Sequence, residues 1–320
     1  MSPQQVAFCL RSRTKIKMVA IFRVFMWKLI LLISLSSARA FTAIPVASRT
    51  SSKLLLVEND SEAIVEPSSI SELKEELLDV IPKRPFGGPA TNITTSEDTC
   101  LKIEELVSKL EKLAPLPPLA NSSEALEAID GDWQLVFSDA SEITNIAKLP
   151  MGFQLGPVYQ PIDVEAGRLE NQALIKHKLR LFSGHTRVVA DFSLAEVGDI
   201  NPAGKVNIGE RANVQFRKVV FTLRRFLFLP TFGKIRKSAI PNGRSEQNDE
   251  VPSIDITYLD ETMRIARGGF GSLFVLTRPD GKNSKVMPML SKATAESIEV
   301  DSESPTYDPS VDILPSGSRD

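Results

Sequence analysis

Two amphipathic helices followed by a mainly β, antiparallel barrel or sandwich is the fold class that three observations predict. Two helical-period apolar stripes lie upstream, the period changes to two after Asp130, and turn residues then recur at short intervals.

Ser69 and Glu72 have capping-box spacing, and Leu73, Leu77 and Val80 recur at helical intervals until Pro82, which predicts a helix over 70–81. Thr95 and Asp98 form a weaker cap before the stripe Cys100, Ile103, Leu106, Val107, Leu110 and Leu113, which Pro115 ends. Between the two, 83–89 carries prolines and glycines and reads as a loop. Trp133, Leu135 and Phe137 then alternate with polar or smaller neighbours and open the sheet. Further strands are expected over 158–164, 168–175, 178–182, 186–194, 206–208, 212–223, 253–259, 262–266 and 272–276. Glycines at 167, 268, 269 and 271 supply connecting turns. A closed barrel of about eight strands has room for packed side chains or one small ligand.

The 320 residues are 42% apolar and 24% charged, which excludes general disorder. Basic residues number 38 against 40 acidic, and seven bases but no acids fall in 1–40, so 41–320 holds 31 bases against 40 acids, a net charge of -9. That balance argues against nucleic acid as a partner. Only Cys9 and Cys100 are present, so no internal disulfide or cysteine-based zinc site is expected once the leader is removed.

Residues 1–40 read as a signal peptide: basic groups, the apolar run 29–35 and the small-residue site Ala38-Arg39-Ala40. The run is far shorter than the ~20 residues of a membrane span. Cleavage is expected between Ala40 and Phe41, ahead of a hydroxyl-rich, basic, acid-free transit-like segment 41–57. The remaining organisation is a linker 58–68, a helical arm 69–120, a barrel 121–280 with a long mobile loop at 233–252, and an acidic tail 281–320. The last thirty residues hold seven acids, two bases and three prolines, so the tail is expected to be disordered.

Three stretches carry a family likeness: Asp130-Gly131-Asp132-Trp133-Gln134-Leu135-Val136-Phe137, Gly156-Pro157-Val158-Tyr159-Gln160-Pro161-Ile162-Asp163, and Thr257-Tyr258-Leu259-Asp260-Glu261-Thr262-Met263-Arg264-Ile265-Ala266-Arg267-Gly268 with Leu273-Phe274-Val275-Leu276. Over 69–276 the chain resembles the plastid lipid-associated protein (fibrillin) family. The leader, with Ala40-Phe41 at its junction, resembles the bipartite presequence of algae with secondary, red-derived plastids. The resemblance implies a lipocalin-like antiparallel β-barrel and import through the endoplasmic reticulum into the plastid. It also implies association with plastoglobules or thylakoids, and binding of prenyl lipids such as carotenoids or quinones.

Catalytic signals are sparse. His177 and His185 lack carboxylates at ligand spacing and read as surface histidines, and Gly268–Gly271 reads as a hairpin turn rather than a phosphate cradle. No cofactor or metal is expected. Residues 211–237 hold eight bases and no acid, interleaved with Phe216, Phe221, Phe226, Phe228 and Phe232. Arg224, Arg225, Arg236 and Lys237 are therefore candidates for contact with anionic lipid head groups. The alternative is a solvated face above aromatic core residues. Trp133, Tyr258, Asp260 and Arg264 are the ligand-binding candidates, with Asp260 and Arg264 near a barrel mouth holding the polar end of an apolar ligand. The alternative for that pair is a turn acid and a structural ion pair, and Trp133 also suits packing at the barrel base. The function expected is non-catalytic lipid binding or coating of lipid bodies. Its rivals are an enzyme or enzyme subunit acting on a carotenoid or quinone precursor, and a ligand-free scaffold recruiting a protein partner through the helical arm and tail.

Overall fold

The computed structural model describes residues 67–113, 119–141, 143–144, 152–227, 229–239, 252–281 and 284–298. The expected signal peptide, the transit-like segment, the cleavage pair Ala40 and Phe41, and nearly all of the linker lie outside the described residues.

Eight antiparallel strands close a barrel: β2 (Gln134–Ser138), β3 (Phe153–Tyr159), β5 (Arg168–His177), β6 (Phe182–Leu194), β7 (Arg211–Phe226), β9 (Ser253–Leu259), β10 (Met263–Gly268) and β11 (Leu273–Thr277). Pairing runs β2-β11-β10-β9-β7-β6-β5-β3, and β3 returns to β2 through Gln134 opposite Tyr159. Closure removes the two free edges that an open sheet of this size would expose. Short strands β1 (Ala90–Thr91) and β4 (Ile162–Asp163) add to β2 and β5. Strand β8 (Leu229–Ala239) adds to the second half of β7, whose first residues pair with β9 instead.

Alternation along β10 and β11, with a bulge between Leu135 and Phe137 in β2 and another between Ile256 and Tyr258 in β9, sorts the side chains into two cores. Leu135, Ile256, Ala266 and Leu276 face the barrel interior, where they meet Val158, Leu169, Val188 and Val214. Phe137, Tyr258, Met263, Ile265 and Val275 face outward, under helices α1 (Pro67–Val80) and α2 (Glu97–Leu113). Leu77, Ile103, Leu106, Val107 and Leu110 close this second core, and each buried aliphatic side chain contributes about 1.5–3 kcal/mol. The loop between the helices lies against β3 at Gly88. A Cβ there would sit 2.4 Å from the carbonyl oxygen of Leu155, so no other residue fits without movement.

Several expectations need correction. Of the strand expected over 178–182, residues 178–181 form the β5–β6 turn, with Arg180 at a φ of 58°, and β6 starts only at Phe182. Segment 206–208 contributes a single bridge, Ile200 to Val206, because Asn207 turns inward to hold the loop. Strand β3 begins earlier than read, at Phe153. The loop 233–252 is shorter at its start because β8 continues through Ala239, paired with the long β7.

A third helix, α3 (Ser123–Ile129), was not foreseen; Ser122 caps it by accepting from the Ala125 amide at 3.1 Å. The tail is ordered over 284–298, where α4 (Lys292–Ser297) forms. Gln172 exchanges two hydrogen bonds with the Met287 backbone, at 2.7 and 2.8 Å. Glu170 accepts from the Leu290 amide at 2.6 Å, and Lys218 donates to the Ala295 and Ile298 carbonyls at 2.6 and 2.7 Å. Composition misreads this segment because its order comes from barrel side chains binding its backbone, not from a core of its own.

Candidate functional site

The barrel encloses a cavity of about 210 Å³ whose wall is mostly aliphatic and aromatic. Pro252–Ile254, Gly268–Phe270, Phe192, Phe216 and Phe274 are only partly buried and form its mouth. Gly271 donates to the Gly268 carbonyl at 2.7 Å, which makes the glycine run the β10–β11 turn at this rim. At the other end Ile129, Leu135, Val158 and Ile162 are fully buried, and α3 lies across the base. The indole of Trp133 ties that helix down by donating to the Ile129 carbonyl at 2.8 Å.

Arg264 is the one charged side chain among the described lining residues. It points inward because Met263 and Ile265 on either side point to the helices. Only 1% of it is exposed, and its guanidinium lies over Trp133, with Cζ 5.0 Å from the ring centroid. It donates through Nη2 to the Gln160 side-chain oxygen, and Gln160 donates in turn to Asn171 Oδ1 at 2.7 Å. Nε of Arg264 is buried without a hydrogen-bond partner. The guanidinium of Arg278 also stacks on Trp133, 3.8 Å from the centroid, and donates to the Ala128 and Asp132 carbonyls at 2.8 and 3.1 Å. Burial first, and then the like charge of Arg278, pull the Arg264 guanidinium down to about 9.

The four ligand-binding candidates therefore separate. Arg264 lines the cavity, and Trp133 is buried directly against it. Tyr258 and Asp260 lie on the opposite face of the sheet: Tyr258 donates to Asp260 at 2.5 Å, and Lys74 of α1 pairs with Asp260 at 2.5 Å. Asp260 also accepts from the Thr262 and Met263 amides at 2.7 and 2.8 Å, closing the β9–β10 turn. Burial alone would raise its carboxyl, yet the bonds from Lys74, Tyr258 and the turn amides hold it at about 2. The expected Asp260–Arg264 pair at the mouth is thus corrected. The turn lies toward the closed end, and the strand alternation puts its two charges on different faces.

The basic candidates are brought together. Arg224, Arg225 and Arg236 are exposed around the β7–β8 hairpin, and Lys237 pairs with Phe221 in the backbone register. The same hairpin exposes Leu227 at 39%, Leu229 at 69% and Phe232 at 82%. His177 and His185 are mostly buried instead of superficial. His177 sits edge-on to Phe153 and Phe182, and burial followed by the charges of Arg187, Arg224 and Arg236 brings His185 down to about 4. No cluster of three or more metal-ligating side chains occurs among the described residues.

Gln160, Asn171 and Arg278 were missed as site residues. Gln160 stands in one of the three motif stretches, which was the available signal; Asn171 and Arg278 carry none that spacing could expose.

The PAP_fibrillin family model matches residues 71–277. Similar proteins include a chromoplast-specific carotenoid-associated protein of Cucumis sativus, 28% identical over 246 residues that cover 71% of this chain and 74% of the relative. A chloroplastic light-induced protein of Solanum tuberosum is 27% identical, covering 68% and 71%. Plastid lipid-associated protein 2 of Brassica campestris is 26% identical, covering 71% and 74%. No solved structure matches.

Proposed function

The chain belongs to the PAP_fibrillin family of plastid lipid-associated proteins, and from that premise we propose that it binds a prenyl lipid or similar apolar molecule inside its barrel, without catalysis, in the plastid. The observation that carries this reading is the apolar cavity, closed at its base by α3 and Trp133 and open at the glycine turn. General acid–base turnover needs a titrating group poised against the substrate, and the described wall carries neither carboxylate nor imidazole. The relative named for carotenoid association and the chloroplastic and chromoplastic relatives support the ligand class and the compartment.

Plastoquinone or a carotenoid titrated into the full chain carrying Trp27→Phe, which leaves Trp133 as the lone indole, should quench its fluorescence and raise Tm by mass action. A chain whose Tm and fluorescence respond to no prenyl lipid is not a lipid-binding barrel, and the scaffold reading takes its place.

The exposed hairpin supports a second role at the same lipid body: Leu227, Leu229 and Phe232 enter the acyl boundary while Arg224, Arg225 and Arg236 meet anionic head groups. Reversing the three arginines removes attraction of about 1 kcal/mol each. Binding to vesicles containing phosphatidylglycerol should fall steeply and lose its salt dependence, while Trp133 quenching survives.

A further inference from the structure

Resting on the cavity reading above, we propose that the barrel takes a single-chain lipid carboxylate head-first, with the carboxylate on Arg264 at the closed base and the hydrocarbon chain running toward the mouth.

Three features of the base point to an anion. Arg264 is fully buried and has no acidic partner among the described residues: its side-chain bond goes to a neutral amide, and its Nε is unsatisfied. A buried guanidinium without a counter-charge is costly, and proteins ordinarily pair such groups. Arg278, stacked on the same indole, has Asp130 and Asp132 beside it, so its charge is offset while that of Arg264 is not.

The charge also limits the ligand. One uncompensated cation suits a monoanion, whereas a phosphate dianion would bring a second charge into a wall with no second cation among its described residues. A carboxylate has the planar fork that a guanidinium matches, and Nε is free to give one of the two parallel bonds. Above the base, Val188, Val214, Ile256 and Leu276 form an aliphatic sleeve that ends in the partly exposed Phe192, Phe216 and Phe274. An alkyl chain fits that gradient, with its polar end buried and its far end at the rim.

The test uses cis-parinaric acid and the matching alcohol as fluorescent probes of the full chain at neutral pH. The acid should bind about tenfold or more tightly than the alcohol, the ratio that a hydrogen bond to a charged group supplies. Arg264→Met should bring acid and alcohol binding to the same level, and Arg264→Lys should keep part of the preference. The wild-type ratio needs no substitution, so a variant that fails to fold leaves the test intact. Equal binding of both probes overturns the anion inference and leaves the cavity reading standing. Binding of neither overturns the cavity reading itself, and an acid preference that persists in Arg264→Met places the carboxylate elsewhere.

Discussion

Strand β10 carries two arginines three positions apart, one buried and one partly buried, and they live in opposite surroundings. Arg267, on the helix side, donates to Glu104 at 2.7 Å and to Glu111 at 3.0 Å, linking α2 to the sheet. Burial alone would lower its guanidinium, and the two carboxylates push it well up instead. Arg264, on the cavity side, meets no carboxylate and is pulled down. Arg211 resembles the first case: it forks onto Asp255 at 2.6 and 3.1 Å and also donates to the Asp199 and Lys205 carbonyls. At Arg211 and Arg267, which fasten loop and helix to the sheet, the fold supplies the acids. Of the two arginines that are buried among the described residues, Arg211 has its acid and Arg264, which lines the cavity, has none, and that contrast separates scaffold from site.

Breaking the most enclosed fastener should have the largest effect. Asp255→Ala strands Arg211, whose side chain is 3% exposed, and should cost about 3–5 kcal/mol in urea unfolding at unchanged m. A loss under about 1 kcal/mol would mean that water compensates Arg211, and the distinction between fasteners and site would lose its basis. Arg267→Met is next. It leaves Glu104 and Glu111 of α2 without their shared partner on the sheet and should cost about 1–3 kcal/mol, detached α2 appearing as faster amide exchange around Leu106.

Acid should expose the outer network in steps. His185 sits at about 4 in the folded chain against an ordinary 6.5, so the unfolded chain binds more protons between those values and stability falls as pH drops below 6.5. Asp260 sits at about 2 against 3.8, so its contribution is complete above 3.8 and is lost as pH falls toward 2. His185→Gln should flatten the upper part of the Tm-versus-pH curve and Asp260→Asn the lower part. Curves that keep both slopes in both variants would place the acid sensitivity elsewhere.

Periodicity makes much of this architecture legible in the sequence. Trp133, Leu135 and Phe137 mark the first barrel strand, although a bulge puts Leu135 and Phe137 on opposite faces, and the stripe from Cys100 to Leu113 marks α2, because both signals are local. Alternation along β10 also held the answer for Arg264, since Met263 and Ile265 are both apolar; what it could not supply was the partner list. That Asp260 bonds Lys74, at a sequence separation of 186, is a tertiary fact, and so is the absence of any acid beside Arg264. Segment 284–298 was misread for the same reason, as were the two histidines, whose burial comes from neighbouring strands and turns.

The smallest expected effect decides most. Arg264→Met in the ligand-free chain removes a hydrogen bond to Gln160 and a cation–π contact with Trp133, together worth about 1–3 kcal/mol. It also removes a desolvated charge with no counter-ion, a cost of similar size. The net change should lie within about 1 kcal/mol of zero, in clear contrast to Asp255→Ala. Because the folded-state value of Arg264 is about 9 against the usual 12.5, the unfolded chain binds more protons between them. The charging cost is therefore carried in full below about 9, and wild-type stability should recover, relative to the variant, as pH rises through that window. An Arg264→Met chain destabilised as severely as Asp255→Ala would make Arg264 another fastener, and the difference between the two faces of β10 would then be one of partners alone.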